Sequence, residues 1–155
     1  MRRRWLDPYT DIIFTDSSDL DIDHLVPLHW AWMHGAWAWA WSDTVRSDFA
    51  NDSRNLFAVD DGTNREKGAK GLLEWLPPSG DFACQYASRF WRVVLIYGLV
   101  VEEPEAKAMQ KQRAILCGSG QLAALPHPEY FLKAFTGAKV HSVWTKSSAS
   151  PLFMN

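Results

Sequence analysis

The chain has 155 residues, enough for one domain with its own hydrophobic core. Hydrophobic residues make up 47% and charged residues 22%, values typical of globular proteins, so a disordered chain is not expected. The net charge of -2 excludes a surface that binds nucleic acid all over through basic side chains, but it allows a local basic patch.

Short strands and helices are predicted in alternation along the chain. Strands are predicted near residues 20–27 and 55–59, where apolar residues are bounded by Pro27 and by a turn at 60–62. Helices are predicted from capping residues and terminating glycines at 28–34, 42–49, from Thr63 or Asn64 to 75, 82–97 and 104–117. Residues 119–155 carry only weak signals.

Five of the nine tryptophans lie between Trp30 and Trp41. One hypothesis is that these rings form a platform on which unpaired bases stack. The other is that they are buried, because each ring removes a large apolar area from water in a small domain. The alanines between them and the helical spacing favour burial.

Cys84 and Cys117 are too few and too far apart for a zinc site of the paired-cysteine type. They fit either one disulfide in an exported protein or two free thiols in the cytosol. No apolar signal region follows the first four residues, so free thiols and a cytoplasmic location are favoured, and export is not excluded. No apolar run approaches the roughly 20 residues that cross a bilayer, so no membrane contact is expected.

Asp23 and His24 stand near the end of the first predicted strand, and Asn55 begins the second. Asn64 stands at the start of the helix that follows, so two strands and a helix bring these side chains together. One carboxylate and one amide oxygen form a partial all-oxygen site that suits Mg²⁺ or Mn²⁺ better than zinc. A neighbouring His24 that is not a ligand can deprotonate water for attack on phosphorus. The cations expected to contact DNA phosphates are Arg54, Arg65, Lys67 and Lys70.

Two stretches, DIDHLVPL (21–28) and NLFAVDDGTNREKG (55–68), resemble the HNH, or ββα-metal, nuclease superfamily in its Asp-His-x-x-Pro branch. Their order and the nine-residue step between the two asparagines are similar to the HNH domain of the RNA-guided CRISPR effector nuclease. The sequences FAND (49–52) and EWLPP (74–78) are similar to those of bacterial stand-alone or restriction-linked HNH domains with an Ala/Trp-rich insert. The resemblance covers residues 5–100.

This resemblance implies a role for each of the four residues. Asp23 and Asn64 would ligate one Mg²⁺ or Mn²⁺ ion, His24 would be the general base, and Asn55 would orient the His24 ring and stabilise the loop. The implied products carry a 5′-phosphate and a 3′-hydroxyl. Because the sequence lacks the Cys-x-x-Cys pairs of zinc-stabilised relatives, no structural zinc is expected, and core packing takes its place.

The expected fold is α+β, with a ββα-metal core at 19–76 inside an HNH nuclease domain at 1–100. A helical insert at 28–50 separates the two strands, and a C-terminal helical extension occupies 101–155. The expected function is metal-dependent hydrolysis of DNA, double-stranded and with little sequence preference, directed by a targeting partner or a longer parent protein. Two alternatives stay open: a defence or toxin nuclease acting on RNA or modified DNA, and an inactive nucleic-acid-binding relative.

Overall fold

A computed structural model describes residues 4–37 and 41–121, with the backbone alone at 119–121. These residues lie in the first of two units into which the chain divides, Met1–Leu125. The second unit, Pro126–Asn155, lies outside the described residues, as does Trp39. The expected extension at 101–155 is therefore described only as far as residue 121.

In the described part of the chain, four short strands form two antiparallel pairs. In the first pair β1 (Trp5–Leu6) lies beside β2 (Ile13–Phe14), and in the second β3 (Leu20–His24) lies beside β4 (Leu56–Asp60). The second pair is in register from Leu20 opposite Asp60 to His24 opposite Leu56. The indole nitrogen of Trp5 donates a hydrogen bond to the carbonyl of Ala58 at 2.9 Å, which joins the first pair to the second.

Five helices complete the described part of the chain: α1 (Leu28–Ala31), α2 (Asp43–Asn51), α3 (Asp61–Lys67), α4 (Gly80–Tyr97) and α5 (Glu103–Gln121). A π-type turn, Trp32–Ala36, extends α1 and breaks at Gly35, whose φ of 104° favours glycine. The predicted caps at Ser42 and Gly98 are confirmed. These strands and helices confirm the α+β class.

The predicted helix from residue 63 or 64 to residue 75 is wrong at both ends. The cap is Asp60, whose carboxylate accepts a hydrogen bond from the Thr63 backbone nitrogen at 2.7 Å. The helix ends at Lys67 because Gly68 turns the chain with a φ of 53°. A seven-residue α3 therefore places Asn64 in its middle and Lys67 at its last position.

The hydrophobic core is built around α4, whose buried positions recur every three or four residues from Ala83 to Val94. Aromatic rings fill most of the space between α4 and the other elements. Tyr9 meets Trp75 edge-on with ring centroids 5.2 Å apart, and Trp30 meets Phe90 in the same way at 5.0 Å. Such pairs add to the stabilisation from buried area alone.

The tryptophan-rich insert is only partly buried. The prediction of burial is confirmed for Trp30 and Trp41, which are 6% and 7% exposed. It is wrong for Trp32 and Trp37, which are 47% and 55% exposed. Trp32 lies two residues after Trp30, more than half a helical turn away, so the two rings face opposite sides.

Trp30 packs directly against the chain segment that follows α3. A Cβ atom on Gly71 would lie 2.3 Å from the Trp30 indole nitrogen, so only glycine fits at this position. The contact holds the insert against the region where α3 ends.

Cys84 of α4 and Cys117 of α5 form a disulfide, with Cα atoms 4.7 Å apart. The expectation of free thiols is therefore wrong. Sequence reasoning could not place the two helices side by side, because the cysteines are 33 residues apart. Of the helices in the described part of the chain, none is both long and apolar enough to cross a membrane.

Reducing the disulfide is expected to lower the free energy of unfolding, because the bond restricts the unfolded chain across a 33-residue separation. The expected loss is about 3–4 kcal/mol, measured by urea unfolding with and without reductant. The variant Cys84→Ser/Cys117→Ser should unfold like the reduced protein and ignore the reductant. An unfolding midpoint that reductant leaves unchanged in the wild type would contradict the prediction.

Candidate active site

A cleft of about 250 Å³ opens where β3 ends, α1 begins and α3 turns at Gly68. Its lining includes Asp23, His24 and Asn64, three of the four residues that the sequence predicted for the site. Asn55 is fully buried and lies behind the cleft rather than in its wall.

Two matched spacings join β3 to α3. Asp21 and Asp23 lie two residues apart on the strand, so they share one side of it. Asn64 and Lys67 lie three residues apart on the helix, so they too share one side. The amide of Asn64 reaches Asp21 at 3.3 Å, and the ammonium group of Lys67 reaches Asp23 at 2.9 Å. These two polar pairs fix the helix across the strand.

The carboxylate of Asp23 is buried, with the residue 6% exposed, and both oxygens accept hydrogen bonds. Tyr9 donates its hydroxyl proton to Oδ2 at 2.6 Å, and Lys67 donates to Oδ1 at 2.9 Å. Burial, together with the charge of Asp23, raises the pKa of Tyr9 far above its usual value, so the hydroxyl stays a donor. Each carboxylate oxygen can accept two hydrogen bonds, and each accepts one from these two side chains.

Lys67, which the sequence predicted as a DNA phosphate contact, is buried inside the domain. Its side chain is 0% exposed, and Nζ donates to Asp23 and to the His24 carbonyl oxygen, the latter at 2.8 Å. Burial lowers the pKa of Lys67, and the neighbouring carboxylate of Asp23 opposes that shift. Lys67 therefore acts inside the domain, beneath the cleft.

The His24 ring is held by a backbone carbonyl from the insert. Its Nε2 lies 2.8 Å from the carbonyl oxygen of Ala50, near the end of α2. A carbonyl oxygen only accepts hydrogen bonds, so Nε2 carries the proton and Nδ1 of the neutral ring keeps its lone pair. The Ala50 carbonyl thus fixes which nitrogen of the neutral ring carries the proton.

Asn55 fixes the loop that follows His24. Its Oδ1 accepts from the Val26 backbone nitrogen at 2.8 Å, its Nδ2 donates to the Val26 carbonyl at 3.2 Å, and its own carbonyl accepts from Leu25. Within the described part of the chain no hydrogen bond joins Asn55 to the His24 ring. Asn55 therefore acts on His24 through the backbone.

Asn64 lines the cleft and contacts Asp21 through its amide group. An ionised Asp21 accepts but does not donate, so the amide nitrogen of Asn64 faces Asp21 and the amide oxygen points away from it. Asn64 is not the helix cap, because Asp60 takes that position.

The other predicted phosphate contacts are surface cations that already have partners. Arg54 binds Asp52 through two nitrogens, Arg65 binds Asp61, and Lys70 donates to the Glu66 carbonyl. The Arg54 and Arg65 side chains are 55% and 69% exposed, so both remain accessible to a ligand.

His29 lines the cleft although sequence reasoning left it out of the site. It is exposed, in the first turn of α1, and makes no side-chain hydrogen bond among the described residues. Its position two residues after Pro27, where the strand turns into the helix, is the signal that could have placed it beside His24.

The donor set fits a hard divalent cation. In the described part of the chain no three His, Cys, Asp or Glu side chains form a cage for a metal. Asp23 and Asn64 both line the cleft, and a carboxylate and an amide oxygen are donors of the kind that Mg²⁺ or Mn²⁺ takes, with water filling its other positions.

Residues 1–112 match the C-terminal domain of the GmrSD restriction endonucleases. The match includes the whole cleft, and it assigns the chain to a nuclease-related class of proteins. The chain belongs to this family of GmrSD C-terminal domains.

A protein of the fungus Arthroderma benhamiae, named as an uncharacterized secreted protein, is 41% identical over 107 residues. The aligned region covers 68% of this chain and 52% of the fungal protein, so the chain spans about half the length of that relative. No solved structure matches the chain significantly.

Asp52 anchors the short segment that links Ala50, near the end of α2, to Asn55, just before β4. Its carboxylate accepts from Arg54 and from the Tyr97 hydroxyl of α4 at 2.7 Å. The hydrogen bonds from Arg54, foremost, and from Tyr97 hold the pKa of Asp52 well below its usual value.

This lowered pKa predicts a pH-dependent contribution to stability. The contribution is complete above the pKa of an unfolded aspartate, about 3.9, and is lost as the pH falls below that value towards the folded one. Asp52→Asn should therefore reduce the free energy of unfolding by about 1–3 kcal/mol at neutral pH and by less at about pH 3. Urea unfolding at both pH values measures this, with the exposed Asp19→Asn as control. An equal loss at both would contradict the prediction.

Proposed function

We propose that the domain is an HNH-type endonuclease that hydrolyses DNA with the aid of one divalent metal ion. The observation that carries the proposal is the position of the His24 ring. Its Nε2 is hydrogen-bonded to the Ala50 carbonyl, and His24 lines one cleft together with Asp23 and Asn64. The family, a domain of restriction endonucleases, supports a nuclease acting on DNA.

In the proposed mechanism, Nδ1 of His24 takes a proton from the attacking water. The positive charge that develops on the ring is stabilised by the hydrogen bond from Nε2 to the Ala50 carbonyl. Asp23 and Asn64 would hold the metal ion, which when bound supplies Lewis-acid stabilisation of charge on the phosphate and the leaving 3′ oxygen. Asp21 keeps the Asn64 amide turned so that its oxygen is the ligand.

The substrate proposed is double-stranded DNA, bound with little sequence preference. The chain carries a net charge of -2, and Arg54, Arg65 and Lys70 are the exposed cations near the site that can meet phosphates. Because such a surface gives little specificity, a targeting partner or a longer parent protein is proposed to direct the domain. The chain spans only about half of its fungal relative, which is consistent with further parts in that protein.

We further propose that the domain is exported rather than cytoplasmic. The disulfide between Cys84 and Cys117 is of a kind that persists in oxidising compartments, and the fungal relative is named as secreted. The expectation of a cytoplasmic location rested on free thiols and is not supported.

Supercoiled-plasmid nicking with Mg²⁺ or Mn²⁺ tests the nuclease. His24→Ala is expected to lose activity by about 100-fold or more, the range for a general base, and to keep its affinity for Mn²⁺. Asp23→Ala and Asn64→Ala are expected to weaken Mn²⁺ binding in calorimetry. Asp19→Ala is the matched control. Asp19 is an exposed acidic residue directly before β3, so its substitution should leave nicking activity and Mn²⁺ affinity unchanged.

Three results would count against parts of this proposal. If the wild type is as inactive as His24→Ala with every metal, the proposal that the domain is an enzyme is wrong. Loss of Mn²⁺ binding in His24→Ala would make the histidine a ligand instead of the base. Cleavage of RNA or modified DNA in preference to plain duplex DNA would change the substrate and leave the chemistry intact.

A further inference from the structure

We propose that Tyr9 and Lys67 are positioning residues that hold Asp23 in the orientation the site requires, and that Lys67 couples Asp23 to His24. This inference rests on the proposed function, because it assigns Asp23 the task of holding a metal ion. It adds Tyr9, to which the sequence motif gave no role, and Lys67, which the sequence predicted as a DNA contact.

The carboxylate of Asp23 has no freedom to turn in this arrangement. Tyr9 donates to Oδ2 at 2.6 Å from the loop between β1 and β2, and Lys67 donates to Oδ1 at 2.9 Å from the end of α3. With both oxygens fixed, the remaining lone pairs have fixed directions. Partners of this kind orient metal-binding carboxylates and strengthen or weaken their hold on the metal.

Tyr9 is presented to Asp23 by a rigid N-terminal turn. The buried carboxylate of Asp7 accepts hydrogen bonds from the backbone nitrogens of Tyr9 and Thr10, at 3.1 and 3.0 Å. The Tyr9 carbonyl accepts from Ser79, and the ring packs edge-on against Trp75. The hydroxyl therefore arrives at Asp23 from a fixed position.

Lys67 joins the two residues of the Asp-His pair. Its Nζ holds the Asp23 side chain at 2.9 Å and the His24 backbone carbonyl at 2.8 Å, and the side chain is fully buried. One cation thus fixes the side chain of one residue and the backbone of the next. Movement of Lys67 would displace both together.

Stability alone does not account for this arrangement. Burying a carboxylate and an ammonium group costs desolvation that their attraction barely repays, and apolar residues of similar volume often do as well. A buried pair whose carboxylate also lines the cleft has a further role available, which is to set the geometry of the site.

Tyr9→Phe is the mild test, because it removes the hydroxyl and keeps the ring in the core. Tyr86→Phe is the matched control. Tyr86 is a fully buried tyrosine packed against Tyr9, with ring centroids 5.8 Å apart, and its hydroxyl has no hydrogen-bond partner among the described residues. Lys67→Met removes the buried cation, and Lys107→Met, an exposed lysine on α5, is its control.

Three measurements are made on each folded variant: Mn²⁺ affinity by calorimetry, kcat at saturating Mn²⁺, and KM for plasmid DNA. Tyr9→Phe is expected to lose about 10- to 100-fold in Mn²⁺ affinity or kcat with KM for DNA unchanged, the range for partners of metal ligands. Lys67→Met also removes a positive charge that repels Mn²⁺ at short range, so its loss is expected in kcat at saturating Mn²⁺, in the same range and with KM for DNA unchanged. Both control variants should match the wild type. If Lys67→Met does not fold, the comparison of Tyr9→Phe with Tyr86→Phe tests the inference by itself.

Two results would overturn the inference while the nuclease stands. Tyr9→Phe and Lys67→Met with wild-type Mn²⁺ affinity and kcat would reduce both residues to structural roles. A rise in KM for DNA alone in Lys67→Met would make the lysine a DNA contact after all. A wild type that neither binds Mn²⁺ nor nicks DNA would overturn the proposed function, and this inference with it.

Discussion

The buried ion pair between Asp23 and Lys67 is the constraint on which the architecture around the cleft depends. A carboxylate removed from water must be paired, and its partner must come from an element that stays in place. Lys67 meets this need only because α3 begins after Asp60 and ends at Gly68. A helix one turn longer at its C-terminal end would continue past the point where the chain turns, and the segment that packs Gly71 against Trp30 would lie elsewhere.

The insert between β3 and β4 contributes to the site as well as to the core. Its second helix brings the Ala50 carbonyl to the His24 ring, and its first helix lines the cleft with His29. The two buried tryptophans fix the insert, while Trp32 and Trp37 stay at the surface. A segment that looks like packing material in the sequence therefore also determines the tautomer of the His24 ring.

Local patterns predicted β3, β4 and most helices, because each depends on neighbours in sequence. The order of two strands and a helix predicted that Asp23, His24 and Asn64 share a site, and all three line the cleft. The local patterns missed the burial of Lys67, since a lysine near a helix end is by default a surface residue. They also missed Tyr9, which meets Asp23 across 14 residues of chain that no local periodicity links. The pairing of two acids at strand spacing with Asn64 and Lys67 at helical spacing was the available signal.

The charge arrangement around the cleft bears on the proposed nuclease, in which a near-neutral domain would accept a polyanion. A carboxylate facing a cleft repels phosphate, but the positive charge of Lys67 directly beneath Asp23 cancels it at short range, where low polarity strengthens the attraction. The exposed Asp21 lies near Arg65, which also binds Asp61. The surface around Asp21 is therefore not uniformly acidic. Local pairing of this kind makes an excess of basic residues over the whole surface unnecessary for phosphate to enter. In the proposed nuclease, DNA affinity and targeting would then come from surfaces outside the cleft, and the net charge of -2 would not prevent phosphate from entering it.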